Sequence, residues 1–411
     1  MIAAMLTDTL IEAARAIEPR IVALRRAIHA EPELGLDTPL TLHKVREELA
    51  DLPLTWREGT SATGAVATLA GAAPDAANGR SVLLRGDMDA LPMEEHTGLD
   101  FASSIPGRMH ACGHDTHTAM LAGAARILAG KRDQLKGEVR FMFQPGEEGF
   151  HGARHMLEEG LLGGEEHGPL PDAAFALHIM PNSRHGVVAG REGAMLAAAD
   201  QFDISVVGRG GHASMPHDTR DPVPAAAELV LALQSMVTRR FSAAEACVVT
   251  VSRLDAGSAH NVIANEAQLR GTIRTLSPER RRTIRTAMEE VATHVARAHG
   301  CEARISFEDG FPVTLNDARA IELGRQIARE LGGEEGWHAM AHPIMGAEDF
   351  SYVLEKVPGA MFFLGVAEEG ADWQNAFSIH SSHMMVDETV LPKGAAFLAT
   401  CAARFLERGW S

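Results

Sequence analysis

The sequence predicts an α/β protein interrupted by an inserted ferredoxin-like α+β domain, and three observations carry that expectation. Short strand-like apolar runs alternate with helical ones through the first half; the order then becomes strand, helix, two strands, helix, strand between Gly193 and about Asp309; and the alternation resumes from Asn316. At 411 residues the chain is also too long for one ordinary domain. The expected division is 1–193 with 310–411 as one domain and 194–309 as the insert.

The elements follow in order. The opening MIAAMLTDTLIEAA reads as a helix: it has no Lys or Arg before Arg15 and carries Asp8 and Glu12, unlike a secretory leader. AVATLAG, SVLLRG, THTAMLAGAARILAG, VRFMFQ, RHMLEEGLL and AAFALHI then alternate, and the near-continuous apolar runs SVLLR and VRFMFQ suit strands buried on both faces. In the insert, QFDISVVG is a strand, PVPAAAELVLALQSMVTR a helix, EACVVTVSRL and EAQLRGTIRTL strands, PERRRTIRTAMEEVATHVARAHG a helix and EARISFE a strand. The C-terminal part offers a helix at DARAIELGRQIARELG, a strand at GAMFFLGV and a closing helix near LPKGAAFLATCAARFLERG.

Composition narrows the function. No apolar run approaches the ~18–20 residues that cross a bilayer, so no membrane span is expected. The 38 Lys and Arg against 55 Asp and Glu give a net charge of −17, a field that repels polyanions and excludes nucleic acid as a partner. Four scattered cysteines form no disulfide framework, which points to a reducing, cytoplasmic setting. Twenty histidines beside one tyrosine favour metal chemistry, imidazole being the commonest transition-metal ligand.

Polar clusters follow or interrupt the apolar strands at 86–92, 111–117, 145–149 and 176–181, with another, SIHSSH, near the C-terminus. In open α/β sheets such loops converge at the carboxyl ends of the strands. Cys112 and His114, two apart before a helix, carry donor atoms suited to zinc or a similar ion; a buried cysteine beside a helix-capping Asp115 is the alternative. Glu147 and Glu148, adjacent in a glycine-bounded turn, repel each other unless a cation compensates them, leaving one to ligate and one to act as a general base; a solvated acidic turn is the alternative. His178 reads either as a satisfied core histidine or as a further ligand, and only one of His380 and His383 is expected to reach a metal. Asp89, two after Asp87, can orient a ligating imidazole through its second nitrogen. GRGGH at 208–212 lacks the spacing of a dinucleotide fingerprint.

These clusters resemble, in order and wording, the amidohydrolase branch of the aminoacylase/carboxypeptidase family of metallopeptidases. The resemblance spans nearly the whole chain, through LRRAIHAEPELGL, LRGDMDALPM, MHACGHDTHTAML, FQPGEEGFHGARHMLEEG, GRGGHASMPH, AHNVIANEAQLRGTIRT, MGAEDFS and IHSSHMMVDETVLPKGAAF. It implies a catalytic domain with a central mixed sheet flanked by helices, and an insert that pairs subunits and overlooks the active site, giving a homodimer or a dimer of dimers. It also implies two divalent cations per chain, manganese or zinc, with cobalt or nickel as further options. The ligand set it implies is Cys112, His114, Glu148, His178 and His380, with Glu147 as base and His212, Asn261 and Arg274 of the insert holding substrate; with Asp89 from the reading above, Glu147 and Asp89 are the expected catalytic pair. The family's C-terminal histidine falls on His380 when counted back from Asp387 and Glu388, and the chain departs from the usual wording at Ala264, Ser382 and Met384. The implied reaction is hydrolysis of the amide of N-acyl-L-amino acids, with Met195, Met345, Phe350 and Leu364 as candidate apolar liners. The competing readings are a dipeptidase or carboxypeptidase of the same family and a catalytically silent metal-binding module.

Overall fold

The computed structural model describes residues 2–164 and 168–411, which form two compact units. The first comprises Met1–Met195, Leu315–His342 and Asp349–Ser411; the second comprises Leu196–Thr314 and Pro343–Glu348.

The first unit is built on an eight-stranded mixed sheet whose strands lie side by side in the order Thr55–Glu58, Ala65–Ala70, Gly137–Gln144, Arg80–Asp87, Ala173–Met180, Gly359–Gly365, Val188–Gly190 and Trp337–Ala339. The four central strands run parallel, so their carboxyl ends meet along one edge. From Ser81 to Asp87 the strand Arg80–Asp87 is buried without interruption, as double-sided covering requires. The three-residue strands Val188–Gly190 and Trp337–Ala339 are too short to leave an alternating pattern, and the sequence does not announce them.

Helix His114–Ala129 is buried almost all round, only Arg126 and Ala129 escaping. Small residues permit this: a Cβ at Gly123 would meet Ile21 at 2.8 Å, and one at Gly394 in the closing helix Leu391–Arg408 would meet Met120 Sδ at 2.1 Å. Met195, Phe350 and Leu364 belong to the fully buried set, which removes three of the four expected apolar liners from any accessible wall.

Helix Glu18–His29 fixes the site helix through charge. On its inner face Arg25 and His29, four apart, stand among Ile21, Leu24 and Ile28. Arg25 Nε (2.7 Å) and His29 Nδ1 (2.9 Å) both reach Asp115 Oδ2 in the first turn of His114–Ala129, while Arg25 Nη1 meets Glu388 and His29 Nε2 meets Glu95 at 3.1 Å each. Nearby, Glu33 accepts from the N–H groups of Leu40 and Thr41 and so closes the start of helix Pro39–Glu48.

The second unit has strand Ala198–Val207, helix Pro222–Arg240, strands Cys247–Ala256 and Glu266–Thr275, helix Pro278–Ala298 and strand Glu302–Glu308. The antiparallel order is Cys247–Ala256, Glu266–Thr275, Ala198–Val207, Glu302–Glu308, the ferredoxin-like arrangement. Asp221 and Ser277 cap the two helices with their side chains. No helix among the described residues is long and apolar enough to cross a membrane.

Burial alone would lower the His29 pKa, but Asp115 and then Glu95 overcome it and raise it from 6.5 to about 9. A raised folded value means that this stabilisation is complete below pH ~6.5 and is lost as pH climbs through about 9. Urea midpoints measured from pH 6.5 to 10 are expected to fall more steeply for the wild type than for His29→Gln. Parallel curves would show that His29 is not held charged by its carboxylates.

Candidate metal centre

The site forms where the parallel strands end. Asp87 closes Arg80–Asp87, His178 lies near the end of Ala173–Met180, and Glu147 follows Gly137–Gln144 by three residues. Cys112 and His114 flank Gly113, whose backbone (φ 86°) lies in the left-handed region and whose missing Cβ would strike Ile179 at 2.5 Å. Only glycine lets the thiol and the first helical imidazole face the same point. Gly146 (φ 66°) likewise turns the chain ahead of the paired glutamates, and a Cβ there would meet Leu36 at 2.6 Å.

Within the first unit, four overlapping groups among the described residues bring their donor atoms within 4.8 Å of one another: Cys112, His114 and His178; Cys112, Glu148 and His380; His114, Glu147 and Glu148; and Asp87, His114 and His117. Cys112 belongs to two of them. Its Sγ lies 3.4 Å from His178 Nε2, and His380 Nε2 lies 3.2 Å from Glu148 Oε1 without hydrogen-bond geometry. His380 adopts φ 64°, a conformation costly for a residue with a side chain, while its N–H donates to Ala111 O at 2.7 Å. His383 turns away: it is exposed, stacks on Phe377 at 5.0 Å and contacts Ser382.

Hydrogen bonds fix the protons. Backbone carbonyls only accept, so His114 Nδ1–H donates to Asp89 O (2.8 Å) and His178 Nδ1–H to Ile179 O (2.6 Å), which turns each Nε2 toward the cluster. In His117, Nε2 accepts from Ile179 N–H at 2.9 Å and Nδ1 lies 2.6 Å from Asp87, so both nitrogens are committed. His117 is therefore a support and not a donor to a metal. Burial, and then the neighbouring His117, push His178 well below the usual histidine range and keep it neutral. Against burial, Arg85 and the two imidazoles hold Asp87 well below the usual carboxylate range.

Asp89 acts differently from the expectation. Its backbone carbonyl, not its carboxylate, is the nearest acceptor for His114; Oδ1 is 3.4 Å away. The carboxylate instead accepts from the N–H groups of Glu147 (2.9 Å) and Glu148 (3.0 Å). Asp89 thus sets the imidazole with its main chain and the paired glutamates with its side chain. Arg85, reaching Asp87 and Asp349, and the Arg25, His29, Asp115 network are supports that motif reading missed. The available signal was the i, i+4 placement of Arg25 and His29 on an otherwise apolar helix face.

A cation fits this chemistry. His114 Nε2 and Glu148 Oε1 are buried without a hydrogen-bond partner, an arrangement that costs free energy unless something else is coordinated. Burial pushes the Cys112 thiol up, so it becomes a thiolate donor only with positive charge beside it.

Within the second unit, His212 and Asn261 come together. His212 pairs with Val262 across a short ladder, and Ala213 N–H donates to Asn261 O at 3.1 Å. Arg274 does not join them: the ladder adjoins the Glu266 end of Glu266–Thr275, and Arg274 lies near the other end, roughly 27 Å along the strand. Arg274 is half-buried, opposite Ala199 and Val248.

The model of peptidase family M20/M25/M40 matches residues 83–404. The chain belongs to that family. It is 37% identical to thermostable carboxypeptidase 1 of Saccharolobus solfataricus, over 95% of this chain and 96% of that one. It is 37% identical to an IAA-amino acid hydrolase of Arabidopsis thaliana, over 94% and 85%, and 36% identical to N-acetylcysteine deacetylase of Bacillus subtilis, over 96% and 98%. A solved Bacillus subtilis structure described as a dinuclear metal binding peptidase of the M20 family superposes with a TM-score of 0.82 at 31% identity, covering 96% of this chain and 99% of that one. These relatives place the chain in the family's amidohydrolase branch, as a metal-dependent amidohydrolase.

Gly113→Ala is expected to lose at least about 1–2 kcal/mol from the left-handed backbone alone, before any displacement of Ile179. It should also bind less metal. Urea unfolding together with elemental analysis checks both; an unchanged midpoint would show that the Cys112–His114 turn tolerates a side chain.

Proposed function

We propose that this enzyme hydrolyses the amide bond of N-acyl-L-amino acids to a carboxylic acid and a free amino acid, using two divalent cations held by Cys112, His114, Glu148, His178 and His380. The observation that carries the reading is the membership of Cys112 in two separate three-donor groups, with Glu147 Oε2 3.9 Å from His114 Nε2. The solved relative described as dinuclear supports the count of cations. Thiolate, imidazole and carboxylate together suit zinc or manganese, with cobalt or nickel as further options.

When bound, such cations polarise the scissile carbonyl and lower the pKa of a water held at the site. The chain's own residues do the rest. Glu147, buried and held by its N–H on Asp89, accepts the proton of the attacking water and returns it to the leaving nitrogen. Asp89 is a positioning residue. His212 and Asn261 contribute to substrate binding from the insert, through which two chains pair. The carboxypeptidase name of one relative keeps a peptide substrate as the second reading, and turnover of N-acetyl and N-benzoyl amino acids against dipeptides separates the two.

Glu147→Gln is expected to lose at least ~10²-fold in kcat while keeping its metal, because the amide cannot accept a proton. Glu148→Gln should lose metal first and activity with it. Equal metal content in the two variants would undo the division of roles.

Cys112 should react with a thiol-alkylating reagent slowly when metal is bound and faster after chelation, since the coordinated sulfur is withheld from the reagent. Mass spectrometry of the labelled peptide reads the difference. Equal labelling rates would make Cys112 a structural thiol.

A further inference from the structure

Asp349, in the motif MGAEDFS, is completely buried in the first unit and bonds to both ends of the loop that carries Glu147 and Glu148. That loop leaves strand Gly137–Gln144 and enters helix Gly152–Glu158, and it is pinched at its neck, where Gly152 N–H donates to Gly146 O at 3.1 Å. On the strand side of the neck, Gln144 Nε2–H donates to Asp349 Oδ1 at 2.7 Å; on the helix side, Ala153 N–H donates to Asp349 Oδ2 at 2.9 Å. One carboxylate therefore spans the neck, an oxygen to each side.

The polarity of these bonds is fixed. Arginine only donates, so Arg85 Nε–H, 2.9 Å from Gln144 Oε1, sets which end of the amide faces it and leaves Nε2 for Asp349. Arg85 also donates to Asp349 Oδ1 at 3.2 Å and to Asp87 Oδ2 at 2.5 Å, supplying the positive charge that a buried carboxylate needs. An Asp349 oxygen comes within 4.8 Å of a Glu147 oxygen, but both Asp349 oxygens already accept from Arg85, Gln144 and Ala153, so this carboxylate borders the base as a support. Three residues on, the hydroxyl of Tyr352 lies 2.9 Å from His151 Nδ1, where the loop meets the helix. His151 has φ 59°, a conformation that persists only where its surroundings impose it. Asp89 holds the tip of the loop through the N–H groups of Glu147 and Glu148. Bonds at the tip alone would leave the loop a pivot; holding the neck removes it.

Resting on the amide-hydrolysis reading above, we propose that Asp349, Gln144 and Tyr352 are positioning residues for Glu147, a clamp on the neck of its loop that sets where the base stands against the substrate carbonyl.

The test is a charge swap. Asp349→Asn turns an amide N–H toward groups that themselves donate, and Gln144→Glu sets two carboxylates face to face. Each single variant is expected to lose about 10²-fold in kcat, the scale of a misplaced catalytic group, with KM little changed. In the double variant the carboxylate at 144 accepts from Arg85 and from the amide at 349, whose oxygen still accepts from Ala153. Its kcat should stand at least about tenfold above either single variant, as directly coupled sites allow. Tyr352 is the chain's single tyrosine, so protein labelled with 3-fluorotyrosine gives one fluorine resonance for the folded state and another for the unfolded. That spectrum lets kcat be stated per folded chain, a quantity that a purely structural role would leave unchanged. The folded resonance should shift in both single variants and return in the double. If a single variant does not fold, Gln144→Met, which removes only the amide bonds, carries the test with an expected loss of about tenfold per folded chain. Unchanged kcat in the single variants or in Gln144→Met, or a double variant no better than its parents, would overturn the clamp. The two layers fail separately. A wild type that hydrolyses no N-acetyl or N-benzoyl amino acid, with the fluorine line still shifting and returning, would sink the hydrolytic reading and keep the clamp. Hydrolysis that neither single variant slows would do the reverse.

Discussion

Concentrating carboxylates and a thiol in a dry pocket is the constraint on which the rest of the first unit depends. Asp87, Asp89, Cys112, Glu147 and Glu148 all lie at the ends of the parallel strands or in the loops that follow them, and each buried negative group needs compensation. Asp89 receives it from the N–H groups of Glu147 and Glu148, and Asp87 from Arg85 and His117. After those bonds are counted, the buried His114 Nε2 and Glu148 Oε1 remain without a hydrogen-bond partner, next to a thiol whose pKa burial pushes up. The polar groups satisfied by the protein make the scaffold of the site, and those left over are its candidate donors.

The fold holds that arrangement rigidly. His114 begins a helix so enclosed that glycines are needed where other helices cross it, and Asp115, next in the chain, is clamped by Arg25 and His29. An imidazole at the start of an immobilised helix, with Nδ1 on a main-chain carbonyl, has little freedom to leave the cluster. The strained backbone at His380 is consistent with the same demand, because its N–H is tied to Ala111, next to Cys112.

Much of this was legible in the chain. The α/β alternation, the βαββαβ insert and the polar loops after apolar strands are local patterns, because burial on both faces of a strand or one face of a helix writes itself into residue periodicity. Cys112, His114, Glu147, Glu148 and His178 were visible as donor types in glycine- or proline-bounded turns, whereas the residues alone left His380 and His383 open and only the family resemblance, counted back from Asp387 and Glu388, pointed to His380. The short edge strands Val188–Gly190 and Trp337–Ala339 were not visible, being shorter than one period of any pattern.

The sequence by itself determined residue types, their order and the elements that carry them. Tertiary structure alone decided which atom of each residue is used and which residues meet. Asp89 serves His114 through its carbonyl because the strand end turns the carboxylate toward the glutamate loop. His117 is consumed by Asp87 and Ile179, although in sequence it is as good a donor as His114. Arg274 lies far along its strand from His212 and Asn261, since a strand advances roughly 3.3 Å per residue whatever the motif suggests. Hydrogen-bond direction and strand length are properties of three-dimensional placement, and no one-dimensional spacing contains them.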